Sequence, residues 1–367
     1  MDEDFSAYFK DTSFATVEEL TDALNHIAPY TGAWGILEPV SPDTLRHFRP
    51  AWIRASAYTD FLIPKKAGGF RKISAPGNPL KEILSTLNVL LQAVFTPSEH
   101  AFGFVRNLNV RDNAAVHTGQ TCVFNLDLED FFPSITKSML GEALRNELSD
   151  RFTSDEVIHI ICSLCTVPVK KPTDGPRDSL TEALPQGAPT SPVLSNIVLK
   201  RLDGELGALA AKAGFRYSRY ADDITFSHSN PVRRIEPHWR ERIESIITTY
   251  GLTINEKKTR TLTPGKRMEV TGLTVNIKPN VARRYAKQIR TLLHLWEKYG
   301  YMEAQAIFAR DFEPGTEKQL KRVIYGKINY LEMVKGNGDP TYLRLRSRYR
   351  KLAFSGRRTE NINPIRK

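Results

Sequence analysis

The stretch FRYSRYADDITFSHS, residues 215–229, decides how this chain folds and what chemistry it can host. Phe215, Tyr217 and Tyr220 precede the acidic pair Asp222-Asp223, and Ile224, Thr225 and Phe226 follow it. Aromatic and β-branched residues suit strands, so the segment predicts two short strands with the carboxylates at the turn between them. Adjacent carboxylates repel each other and are awkward to keep ionised without a cation. Oxygen-only ligands of this kind suit Mg²⁺. The simpler alternative is a surface turn, where Asp is common.

A third carboxylate weighs against that alternative. Asp127 lies in CVFNLDLEDFFPSI, residues 122–135, where Val123, Phe124, Leu126 and Leu128 form a near-continuous apolar run. This is the pattern of a strand buried on both faces. An Asp at the end of such a strand is costly unless its charge is compensated. One carboxylate there and two on a nearby hairpin can hold two metal ions. Such a pair clamps the attacking and leaving oxygens of a phosphoryl transfer.

YADD preceded by a D-x-x-x-F-F strand resembles the palm of a reverse transcriptase. Leu184-Pro185-Gln186-Gly187, with Ser191-Pro192-x-x-Ser195-Asn196, resembles the family's segment that supports the primer and incoming nucleotide. Gly251-Leu252-Thr253-Ile254-Asn255-Glu256-Lys257-Lys258 resembles its motif after the catalytic hairpin. Four blocks in this order are far more specific than any one alone, and the resemblance covers roughly residues 55–350. Two shorter blocks narrow it. Asn113-Ala114-Ala115-Val116-His117 is similar to the N-A-x-x-H element of bacterial retron reverse transcriptases, and Val270-Thr271-Gly272 to their V-T-G element.

The resemblance implies an α+β fold, a right-hand polymerase with an antiparallel palm sheet, interleaved fingers and a basic helical thumb. The expected divisions are an amino-terminal helical extension (1–54), fingers (55–122), palm (123–150), an insertion (151–183), palm again (184–277), and thumb with a basic RNA-binding tail (278–367). By the same resemblance Asp127 and Asp222 bind two Mg²⁺, with Asp223 a weaker third ligand. Arg71 and, less firmly placed, Lys65 hold the incoming triphosphate, and Gln186 lines the nucleotide pocket. Phe132 falls at the steric gate, where a ring clashes with a ribose 2′-OH; the alternative is that Phe131 and Phe132 are both core aromatics. Lys258 is the matched candidate to protonate the pyrophosphate leaving group, and electrostatic help from its ammonium is not separable from proton donation.

Relatives of this kind recognise a cognate structured noncoding RNA and prime from an internal guanosine 2′-OH. They yield branched RNA–DNA, multicopy single-stranded DNA (msDNA), in antiphage defence with an effector protein encoded alongside. A group II intron type is the nearest competitor; those usually continue into a maturase region, whereas this chain ends soon after its expected thumb. A non-catalytic RNA-binding scaffold with a retained palm is the competitor of a different class, and the intact Asp127, Asp222 and Asp223 argue against it.

The 367 residues carry a formal net charge of +11, which favours an anionic partner, nucleic acid first. The charge is uneven. Residues 278–367 hold 21 Lys and Arg against 8 Asp and Glu, a net of +13, while the preceding residues hold 31 against 33, a net of −2. There Arg283, Arg284, Lys287 and Arg290 fall largely off the apolar stripe of Ile289, Leu292, Leu293 and Trp296. Arg344, Arg346 and Arg348 alternate with aromatic and apolar residues. Interleaved Arg and aromatic side chains can pair with phosphate and stack on unpaired bases, so these seven are the candidate RNA- or DNA-binding residues.

Cys122, Cys162 and Cys165 make no disulfide framework and fit a reducing cytoplasm. Cys162-x-x-Cys165 in an apolar helical run reads as core packing, a zinc site needing ligands from elsewhere. No run approaches the roughly 20 apolar residues of a membrane span, and the acidic start MDEDFSAYFK lacks an apolar signal region. A cytoplasmic protein without membrane contact is expected.

Several local signals complete the reading. Thr16–Glu19 and Thr153–Glu156 each have capping-box form. Residues 58–76 predict a strand, a Gly-Gly turn and a second strand, with Lys65, Lys66, Arg71 and Lys72 around the turn. Residues 79–95 predict an apolar helix with Pro in its first turn. Asn113 and His117, four apart, share a helix face and serve RNA contact or structure. Residues 166–183 read as a loop or mobile hairpin, and Gly187 as a point of close backbone approach to nucleic acid.

Overall fold

The computed structural model describes residues 5–9, 11–31, 39–65, 68–171, 179–230, 237–263, 265–314 and 317–355. Lys66, residues 172–178 of the expected loop and the tail from 356 onward lie outside them. The chain forms two compact units. Unit 1 comprises Met1–Asn109, Phe124–Phe226 and Val232–Thr261; unit 2 comprises Val110–Val123, Ser227–Pro231 and Leu262–Lys367.

Three sets of strands shape the chemistry. The hairpin of β1 (Tyr58–Pro64) and β2 (Phe70–Pro76) turns through Gly68 and Gly69, both at positive φ that glycine adopts without strain. β3 (Cys122–Asp127) is buried at five of six positions, as its apolar run predicts. A second hairpin pairs β4 (Val167–Lys171) with β5 (Ser179–Ala183), which favours the hairpin alternative for residues 166–183 over a plain loop. β6 (Arg216–Tyr220), β7 (Asp223–His228), β3 and β8 (Arg260–Leu262) form a four-stranded sheet in the order β6-β7-β3-β8. Leu128 N donates to Asp222 O, and Thr121 N to His228 O, so β3 and β7 run antiparallel.

In unit 1 this sheet packs against helices whose apolar stripes build one core. Helix Ser191–Lys212 buries Leu194, Ile197, Leu199, Leu202 and Leu206, and ends where Gly214 takes φ +68°. Helix Asp155–Cys165 buries Cys162 and Cys165, whose thiols are pushed up to about 12 by burial first. The core reading of these cysteines holds. The capping box at Thr16 is present with Glu19. The second is not. Ser154 caps helix Asp155–Cys165 by accepting from Glu156 N, because Thr153 N is committed to Phe14 O. Pro79 likewise is the N-cap of helix Leu80–Val94 rather than its first-turn residue.

Unit 2 has its own core, built from Ile289, Leu292, Leu293 and Trp296, the stripe expected from sequence, with Leu320, Ile324, Ile328 and Leu331. Helix Arg283–Asp311 is broken at Gly300, whose φ of 76° is not helical, and is followed by helices Leu320–Lys335 and Pro340–Ser355. A short antiparallel pair, β9 (Glu269–Val270) and β10 (Leu273–Thr274), precedes them, turning through Thr271 and Gly272. Asn113 Nδ2 lies 3.5 Å from Thr271 Oγ1, and His117 Nδ1 lies 2.7 Å from Ser227 Oγ. Both Asn113 and His117 are buried, so these residues tie unit 2 together.

Candidate active site

The turn between β6 and β7 is held from beneath by a buried polar network. Arg219, the last but one residue of β6, is fully buried with Asp203, and its guanidinium donates twice to that carboxylate at 2.7 and 2.8 Å. Tyr217 donates its hydroxyl to Asp203 as well, at 2.8 Å. Arg219 Nη1 reaches the carbonyl of Ala221 at 3.3 Å, and Nη2 reaches Asn196 Oδ1, whose amide donates to Gly103 O. Gly103 lies so close to the turn that a Cβ there would sit 2.5 Å from Ala221 N. Ala221 itself is held at φ +58°. The residue that precedes Asp222 is thus fixed on three sides.

Asp127 and Asp222 come together because β3 and β7 are neighbours, and both line one cavity of about 590 Å³. Lys65, Arg71, Phe132, Gln186 and Lys258 line the same cavity. Every residue that sequence motifs assigned to metal, nucleotide or leaving group is therefore on its wall, with one exception. Asp223 is the first residue of β7 and is not on that wall.

The electrostatics are those of a site short of positive charge. Burial, and then the charge of Asp127, raises the Asp222 carboxyl above its usual range. Asp223 is exposed by surface area, yet the density of protein around it dehydrates its carboxylate. That dehydration, with Asp222 and Asp127, raises it to about 6. Lys258 Nζ donates to both oxygens of Asp127, at 2.7 and 3.0 Å. Burial works against its ammonium, but this bond and the three carboxylates outweigh it and raise its pKa.

Among the described residues no three His, Cys, Asp or Glu side chains are gathered closely enough to hold a metal ion. Lys258 occupies Asp127, and Asp223 stands apart. The donor set nevertheless fits a hard divalent cation: two carboxylates on one cavity wall, one of them, Asp222, raised by burial and by the charge of Asp127.

The side of the cavity lined by Gln186 is built by contact between hairpin and loop. Ser74 N, on β2, donates to Gln186 O at 2.8 Å. A Cβ on Gly187 would lie 2.7 Å from Ser74 O, so the close approach that the glycine permits is to β2. Phe131 is buried, whereas Phe132 is half-buried and packs at 6.1 Å against Phe104. Both rings line the cavity, Phe131 buried and Phe132 half-buried against the core. Sequence reasoning gave no role to Phe104 or Asn255, which also line the cavity, nor to Arg219 and Asp203. Asn255 stood inside a quoted motif, and its backbone N donates to Asp127 O at 2.7 Å.

In unit 2, Arg283, Arg284, Lys287, Arg290 and Arg344 are exposed. Arg346 and Arg348 are half-buried. Arg348 is bound through two bonds to Glu297, at 2.6 and 2.8 Å, and Arg346 lies 3.8 Å from Glu332. The charge of Arg348 is largely spent within the protein.

Residues 63–277 match the family described as reverse transcriptase (RNA-dependent DNA polymerase), and the chain belongs to that family. Within it the chain groups with the retron enzymes. It is 36% identical over 273 residues to the retron Mx65 reverse transcriptase of Myxococcus xanthus, covering 70% of this chain and 60% of that one. It is 31% identical over 240 residues to the retron Ec86 reverse transcriptase of Escherichia coli, covering 65% and 69%. For the retron Mx162 reverse transcriptase of M. xanthus, 33% identical, the chain spans 53% of the relative's length. Telomerases from Candida tropicalis and Candida albicans align with TM-scores of 0.46 and 0.44, at 14% and 13% identity. These alignments cover 95% and 86% of this chain, and 65% and 68% of those. The α+β architecture with its antiparallel sheet is that of a polymerase palm.

Proposed function

We propose that this chain is an RNA-directed DNA polymerase, a reverse transcriptase that copies a structured RNA into DNA from dNTPs. One observation carries the reading: Asp127 and Asp222 face the same cavity as Lys65, Arg71, Phe132 and Gln186. No other need of the fold gathers two carboxylates, two fingertip cations and an aromatic ring around one opening.

Two Mg²⁺ ions held by Asp127 and Asp222, with Asp223 as the weaker third ligand, would lower the pKa of a primer hydroxyl and neutralise a triphosphate. The protein's own groups do the rest. Arg71 and Lys65 place the phosphates opposite the carboxylates. Phe132 closes the side of the pocket where a ribose 2′-OH would project, which favours dNTPs. Gln186 is set by its backbone bond to β2, so nucleotide contact and hairpin position move together. Lys258 releases Asp127 and turns its ammonium to the pyrophosphate, as charge stabiliser and proton donor.

Similarity to retron enzymes extends the proposal. The RNA is a cognate noncoding RNA, priming is from an internal guanosine 2′-OH, and the product is msDNA. The protein then acts in the cytoplasm in antiphage defence with an effector encoded beside it. The basic helices of unit 2 are the thumb that holds RNA and product.

The test is nucleotide incorporation on RNA. Asp222→Asn is expected to abolish incorporation while RNA binding persists; full activity in that variant would sink the reading. Purification with the native flanking DNA tests the retron part. DNA joined to RNA through a 2′,5′ linkage, absent in Asp222→Asn, is expected. DNA made only on an added primer–template would leave a polymerase and remove the retron assignment.

A further inference from the structure

Unit 2 contains a cavity of about 570 Å³ apart from the carboxylates, and it lies within the range of roughly 300–1,000 Å³ typical of small-ligand sites. Its wall includes Gly272 in the β9–β10 turn, Arg284, Tyr285 and Gln288 on the first helix, and Tyr330 on the second. We propose that this cavity takes one unpaired nucleotide of RNA, its base against the tyrosine rings and its phosphate against Arg284. The inference rests on the reading of unit 2 as the part that holds RNA.

The wall has the parts such a ligand needs. Tyr285 and Tyr330 lie 5.3 Å apart and tilted by 52°, which leaves two aromatic faces at an angle rather than one closed stack. Burial, then Tyr330, raises the Tyr285 hydroxyl to about 12. That hydroxyl donates to Lys327 O, which ties the ring to the second helix. Lys327 Nζ lies 4.9 Å over the same ring and donates to Gln288 Oε1. The Gln288 oxygen is therefore used, and its NH₂ group is left to meet acceptors on a base edge.

The charge around the cavity is misplaced for stability. Arg283 and Arg284 occupy the first turn of helix Arg283–Asp311, which has no acidic residue there and no side-chain cap at Ala282. Cations at a helix amino terminus oppose its dipole. Two arginines in that turn make sense for an anion that binds from outside. Aromatic rings beside such cations are the pattern for unpaired bases, which stack without regard to sequence.

The experiment compares two fluorescein-labelled RNAs by anisotropy, using the full chain freed of nucleic acid. One is a hairpin with a short unpaired loop, and the other is the same stem closed as a blunt duplex. Tyr285→Leu is expected to weaken hairpin binding roughly tenfold and duplex binding little, the scale of one lost base stack. Gln288 is exposed and outside the core, so Gln288→Ala reports even where Tyr285→Leu fails to fold, with hairpin affinity falling several-fold. Hairpin and duplex affected alike, or neither affected, would overturn the proposal. A free mononucleotide offers the same base and phosphate. Millimolar AMP that erases the hairpin preference would assign the cavity to free nucleotide and overturn the RNA assignment. Extension of an annealed primer on RNA by the unsubstituted chain tests the polymerase reading separately; its failure would remove that reading whatever the anisotropy shows.

Discussion

At the scale of single residues, Asp222 and Asp223 hold the proton more tightly than they would in the unfolded chain. Asp223 rises from 3.8 to about 6, and Asp222 is raised in the same direction. A raised folded pKa contributes stability that is complete below the unfolded value and is lost as pH rises through the folded one. The metal-free protein is therefore expected to lose stability between about pH 4 and pH 6 from this cluster. Mg²⁺ held as proposed above would offset the deficit by binding the folded state. Thermal melts at neutral pH should show Mg²⁺ raising Tm. Asp223→Asn should raise the metal-free Tm by about 2 °C, the scale of about 1 kcal/mol in a domain of this size. Because Asp223 is exposed, solvent screens part of the effect. A metal-free Tm that falls in Asp223→Asn would refute the charge argument. Lys258 offers a second check. Lys258→Met removes the ammonium that occupies Asp127, so Mg²⁺ affinity measured by calorimetry should rise while incorporation falls roughly 10²–10⁴-fold.

At the scale of elements, Arg219 and Asp203 decide whether the turn of the β6–β7 hairpin stays in place. Both are fully buried, and removing one partner leaves the other charge without compensation. Asp203→Asn is expected to cost about 3–5 kcal/mol in urea unfolding. Asp203→Leu combined with Arg219→Met should cost less than the two single changes added together. Additive losses would show that the pair is not coupled. Gly187 makes a related point. Its φ of +134° and its 2.7 Å approach to Ser74 O leave no room for a side chain, so Gly187→Ala should raise the KM for dNTP by displacing Gln186.

These elements also show what the sequence could and could not tell. The β6–β7 hairpin, β3 and the β1–β2 hairpin were legible because local composition and alternation define them. So were the buried stripes of unit 2, whose period is helical. The Arg219–Asp203 pair was not, since a buried ion pair joins elements that no local pattern connects, and Asp203 reads as one more polar residue on a long helix. The neighbour of Gly187 was invisible for the same reason. The second capping box failed by a single position, because Thr153 was drawn into a backbone bond with Phe14 that only tertiary structure reveals. Motif order did find the cavity residues, yet it could not show that Lys258 would rest on Asp127.

At the scale of the whole molecule, a net of +13 over residues 278–367 and −2 over the remainder places the charge that would attract nucleic acid at one end of the chain. The structure divides that charge further. Arg283, Arg284, Lys287 and Arg290 are exposed on one helix, whereas Arg348 is paired with Glu297. Its hydrogen bond to Arg348, above all, holds the Glu297 carboxyl below its usual range. Binding to phosphates releases about 0.7 to 0.9 counterions per contact, so each contact steepens the fall of log affinity with log salt by that amount. Replacing the four exposed residues by Ala should lower the salt slope for an RNA stem by about 3. Arg348→Ala should leave the slope nearly unchanged, because the charge it removes is already spent on Glu297. It should cost stability instead, within the roughly 0–1 kcal/mol range of surface ion pairs. The measurement is anisotropy at several salt concentrations beside a thermal melt. A salt slope that falls by about 0.7 to 0.9 for Arg348→Ala would mean that the ion pair opens on binding and that Arg348 itself reaches the nucleic acid.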